Sequence, residues 1–74
     1  MNIDNLVYMA NRMGDFFQAM PDREEAQLGL ADHIRKFWEP RMRQALLAHI
    51  ESSGGSDLHP FVLHALTTHQ TSWV

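Results

Sequence analysis

Seventy-four residues with 45% apolar side chains allow one small domain and argue against intrinsic disorder, yet at this size only about 60% of the unfolded chain's surface leaves water on folding. A formal charge of −3 gives no support to nucleic-acid binding as the main activity. With no cysteine there is neither a disulfide staple nor a cysteine-based metal site, so helix packing, self-association or a partner's surface must supply the stability.

Met1-Asn2-Ile3-Asp4-Asn5 lacks the basic and apolar segments of a secretory signal, and no apolar run approaches the roughly 20 residues that span a bilayer. A cytoplasmic protein without membrane contact is expected. From about Asp4 to Met20, the residues Leu6, Met9, Met13, Phe16 and Met20 are spaced alternately by three and four, with Ala10 and Phe17 on the same face. At 100° per residue they fill an arc of about 120°, which predicts an amphipathic helix capped by Asn2 or Asp4. The arc is the expected core face. Val7 and Tyr8 fall outside it, which fits partial exposure or a second contact surface, and Met9, Met13 and Met20 are read as core residues, with a pliable docking surface as the alternative.

Pro21 ends this helix, Asp22 starts the next, and Glu25 stands where its carboxylate completes a capping box. The second helix, about Arg23 to Trp38, groups Ala26, Leu30, Ala31, Ile34, Phe37 and Trp38 in an arc of about 140° and should pair antiparallel with the first. Gly29 lies off that stripe and fits either close approach of another chain segment or simple tolerance.

In the stretch from His33 to Arg43, two aromatics, a proline and four Lys/Arg cations crowd together. Pro40 fixes its own φ, lacks an amide donor and pushes Glu39 from helical angles, yet suits the first position of a new helix. Glu39-Pro40 therefore reads as an elbow between two helices. The third helix, Pro40 to Glu51, carries Met42, Ala45, Leu46, His49 and Ile50 on its apolar face, where His49 is read as a hydrogen-bonded core residue. Ser52 to Asp57 form a flexible connector. Leu58 to about Gln70 form a short fourth helix, and Thr71 to Val74 are expected to fray unless Trp73 docks. The predicted fold is all-α, a bundle of three to four short helices divided as a core of residues 1–51, a linker of residues 52–57 and a C-terminal helix and tail of residues 58–74.

No catalytic constellation emerges. His59, His64 and His69 recur every five residues, so each is turned about 140° from the last on a helix, which is poor metal-ligand geometry. Gly54-Gly55 lacks the remaining glycines and the lysine of a phosphate loop. Binding without chemistry, metal or cofactor is the expectation.

The segments Leu6-Val7-Tyr8-Met9-Ala10-Asn11-Arg12, Phe16-Phe17, Ala31-Asp32-His33-Ile34, Phe37-Trp38-Glu39-Pro40-Arg41-Met42-Arg43 and Leu46-Leu47-Ala48-His49 resemble the small delta subunit of the cytoplasmic, NAD-dependent, molybdenum- or tungsten-containing formate dehydrogenases. The resemblance covers most of residues 1–50. It implies a non-catalytic accessory subunit, with the pterin-bound metal, iron–sulfur clusters and flavin held by larger subunits, and a role in assembly or stability of the large catalytic subunit. An autonomous helical module, homodimeric and binding protein or nucleic acid, is the alternative.

The expected partner-binding residues are Phe37, Trp38, Pro40, Arg41, Met42 and Arg43. In that reading Phe37, Trp38 and Met42 enter a partner groove while Arg41 and Arg43 meet carboxylates or carbonyls. The competing reading keeps Phe37 and Trp38 in the chain's own core.

Overall fold

Asn2 and Asp22 start the first two helices of the computed structural model, which describes residues 2–74; Met1, the first residue of the segment read for an export signal, lies outside them. The Asn2 side chain accepts a hydrogen bond from the Asp4 N–H at 2.9 Å, and the Asp22 carboxylate accepts from the Glu25 N–H at 3.0 Å. Only this half of the capping box forms. Five helices follow in order: α1 (Ile3–Gln18), α2 (Arg23–Phe37), α3 (Pro40–Ser53), α4 (Pro60–Thr68) and α5 (Gln70–Trp73), with no strand among the described residues. The longest has 16 residues, and none is long and apolar enough to cross a membrane.

The elbow forms as the proline chemistry requires. Trp38 leaves helical angles at φ −92°, ψ 138°, Glu39 is extended, and Pro40 is the first residue of α3. Gly54, at φ 82°, then ends α3 in the left-handed region that glycine enters without a Cβ penalty. The connector that follows is tied down on both sides. Asn11 on α1 accepts from the His59 N–H at 2.8 Å and donates to the Asp57 carbonyl at 3.2 Å, while His49 Nε2 on α3 lies 3.0 Å from the Asp57 carboxylate. His49 is thus a half-buried, hydrogen-bonded residue.

One core joins all five helices. Its largest fully buried side chains are Trp73, Leu30, Ile34, Leu46, Leu66 and Val62. α2 is the central element, packed against α1, α4 and α5, whereas α3 crosses from the elbow onto α1. Trp73 docks, so the tail forms the short α5: this residue is 0% exposed and its indole Nε1–H donates to the Leu66 carbonyl at 2.8 Å. His69 is the joint before α5, and its ring meets buried Gln27 at 3.3 Å.

The principal departure from the sequence reading lies in α1. Its buried residues are Leu6, Val7, Ala10 and Gly14, with Met9, Met13 and Phe17 half-buried and Phe16 exposed. At 100° per residue this rotates the buried face by about 70° from the predicted stripe. The cause is close packing against α4: a Cβ on Gly14 would stand 2.3 Å from Val62 Cγ2. The small side of α1 admits α4, and the side with the large apolar residues is left at the edge.

Two outcomes follow. Gly14→Ala should lower stability by about 1–3 kcal/mol through overpacking, despite its gain in helix propensity, and Gly14→Ala with Val62→Ala should cost less than the sum of the single changes in urea unfolding. Trp73→Ala should cost about 3–5 kcal/mol, a large part of what a domain this small possesses, and lower the thermal midpoint seen by circular dichroism.

Candidate functional site

Rotation of α1 leaves a band of large side chains uncovered. Tyr8, Met9, Arg12, Met13, Phe16 and Phe17 on α1 and His33 on α2 line an open groove with a volume of about 460 Å³. Phe16 is 72% exposed and Tyr8 57%. Contiguous apolar surface of this kind marks contact sites more often than isolated exposed residues do.

Gly29 explains how the band is built. A Cβ there would lie 2.9 Å from the Phe17 ring, so the absence of a side chain lets that ring rest on α2. From Phe17 a row of rings runs in both directions. Phe16 meets it edge-on with centroids 5.2 Å apart, and His33 lies 5.8 Å away on the other side. His33 in turn stacks at a tilt against Phe37, 4.6 Å between centroids. Such pairs fix ring orientation beyond what area burial alone provides. The row therefore crosses from α1 to the C-terminal end of α2 with Phe16 and Phe37 presented to solvent.

Arg12 edges the groove. Its Nη1–H donates to the Tyr8 hydroxyl at 2.9 Å, and its guanidinium carbon lies 5.8 Å from the centre of the same ring. This bond within one helix face sets the direction of the cation.

The six elbow residues separate into two groups. Trp38 is only 6% exposed and belongs to the core, and Met42 is half-buried against it. Half-buried Arg43 donates from Nη1 to the Arg35 carbonyl at 3.1 Å, satisfying a carbonyl in the last turn of α2. Pro40 is exposed and sets the first turn of α3. Phe37 is 71% exposed, and Arg41 is exposed with no ion-pair partner among the described residues. Phe37, counted in the α2 core arc from sequence, is thus the end of the exposed ring row.

Of the groove residues, Tyr8 lies outside the predicted core arc, where partial exposure or a second contact surface is one reading, and it is exposed, whereas Val7 beside it is buried; Arg12, Phe16, Phe17 and His33 carry no such signal in the sequence. The available signal is the surplus of apolar side chains on α1, where Val7 and Tyr8 add to a stripe already wide enough for one buried face. The three other histidines of interest do not converge: His59 pairs with Asp15 at 3.6 Å, His69 meets Gln27, and His64 is exposed. No group of three or more metal-ligating side chains occurs among the described residues.

Phe37 and Trp38 should separate cleanly in a stability measurement. Trp38→Ala should destabilise the fold by about 3–5 kcal/mol, whereas Phe37→Ala should change it by about 0.5 kcal/mol or less, as read by chemical denaturation.

The family model described as NADH-dependent formate dehydrogenase delta subunit FdsD matches residues 5–66, a span that takes in nearly all of α1, the whole of α2 and α3, and most of α4. No significant match is found among curated proteins or among solved structures. With the groove residues of α1, Gly29, the elbow and the Gly14–Val62 contact inside the matched span, the chain belongs to the family of formate dehydrogenase delta subunits.

Proposed function

We propose that this chain is a non-catalytic accessory subunit that docks on the large catalytic subunit of a cytoplasmic formate dehydrogenase and favours its assembly or stability. The observation that carries this reading is the ring row from Phe16 to Phe37, which leaves both terminal phenylalanines more than two-thirds exposed on a chain of 74 residues. Exposed aromatics on a preformed platform are the side chains from which interface hot spots are made. Family membership supplies the setting, a complex that oxidises formate and uses NAD(H).

Phe37 and Arg41 are the elbow residues placed to touch a partner directly. Trp38, Pro40, Met42 and Arg43 would act through them, by fixing the angle at which α3 leaves α2. The mode of action is linkage: a subunit that binds only the native form of its partner raises that form's stability, by about 2.7 kcal/mol when present at a hundred times its dissociation constant. No electron or proton needs to pass through the accessory chain for this effect.

Deletion of the chain from its host should reduce the amount of assembled formate dehydrogenase while turnover per assembled catalytic subunit stays unchanged. Affinity isolation of the tagged chain should retrieve the catalytic subunit. Undiminished assembly after deletion, together with retrieval of no dehydrogenase subunit, would sink the proposal in favour of an autonomous module.

A further inference from the structure

We infer that the groove between α1 and α2 receives an amphipathic helix of another subunit of the complex, and that this helix carries a carboxylate opposite Arg12. The inference rests on the subunit reading above and adds the kind of element bound and its charge.

Length is the first ground. From Tyr8 to Phe16 the groove follows α1 for eight residues, about 12 Å of helix rise. A guest helix that anchors at i, i+3 or i+4, and i+7 presents its three side chains over about 10.5 Å, and helix-in-groove docking uses this spacing. The site is made by two helices and offers no sheet edge to which a strand could add. Met9 and Met13 line it with flexible thioethers, which adapt to apolar side chains of differing shape.

Charge is the second ground, and it identifies the occupant. Arg12 is the one formally charged residue lining the groove, and no Asp or Glu lines it, although the chain as a whole carries −3. None of the ion pairs among the described residues engages Arg12. The Tyr8 hydroxyl takes a single bond from Nη1, so most of the guanidinium's five donors remain for a guest.

A second copy of this chain does not suit the groove. Two-fold pairing lays the same patch against itself, so each groove would offer the other only its own lining, which holds Arg12 and no carboxylate to meet it. An acidic amphipathic helix meets both the apolar floor and the cation.

The test uses the full chain and the complex. The affinity of the chain for dehydrogenase prepared without it is measured for wild type, Arg12→Glu and Arg12→Lys, with helicity checked by circular dichroism. Arg12 is exposed and lies outside the core, so Arg12→Glu should keep the fold, weaken binding on the order of tenfold and reduce its salt dependence, while Arg12→Lys stays near wild type. In parallel, a photoreactive phenylalanine analogue at position 16 should crosslink in the assembled complex to a helical peptide of another subunit with Asp or Glu within one turn.

Binding of Arg12→Glu at wild-type strength would overturn the acidic helix and leave the subunit reading intact. So would a crosslink to another copy of this chain, or to a peptide without a nearby carboxylate. Failure of the wild-type chain to associate at all would overturn both readings.

Discussion

The contact between Gly14 and Val62 governs the layout of this chain. A helix has one face to give to the core, and α1 gives the one with the smallest residues, Ala10 and Gly14, because α4 must come close there. The larger residues are consequently displaced to the flank. What resembles inefficient burial is the construction of a platform: Phe17 is held by Gly29, Phe16 leans on Phe17, and His33 carries the row to Phe37. Core packing and the exposed aromatic band are thus set by one choice of which side of α1 turns inward.

The same economy appears at the elbow. Trp38 and Phe37 are neighbours in sequence but serve opposite surfaces, since the break in helical angles at Trp38 returns its indole to the core while Phe37 remains on the helix and points outward. Arg43 fastens the start of α3 to the last turn of α2 through the Arg35 carbonyl. A chain with no cysteine and a modest core gains rigidity from such ties, and rigidity lowers the entropy lost when a partner is bound.

Much of the fold was legible in the sequence because local chemistry dictates it. Asn2, Asp22, Pro40 and Gly54 mark helix boundaries by capping, ring geometry and left-handed backbone, and these depend on few distant residues. The facing of α1 was not legible. A hydrophobic stripe weighs a glycine as nothing, whereas in the folded chain Gly14 leaves the space that Val62 of α4 occupies. Tertiary packing overrode periodicity. For the same reason the sequence draws attention to the conspicuous aromatic-cationic elbow, of which Phe37 and Arg41 are open to solvent, while Phe16 and Phe17 in the groove read from periodicity as core. Trp73 likewise depends on a docking place built by α2 and α4, which no local signal announces.

The placement of the aromatic chromophores has a practical corollary. Both tryptophans are sealed in the interior, one at the elbow and one at the end of the chain, while the single tyrosine stands on the open groove with its hydroxyl held by Arg12. Indole emission is therefore a gauge of unfolding of the interior, and phenol absorbance reports on the exposed groove. One molecule thus carries two optical channels, divided by the same turn of α1 that divides interior from platform.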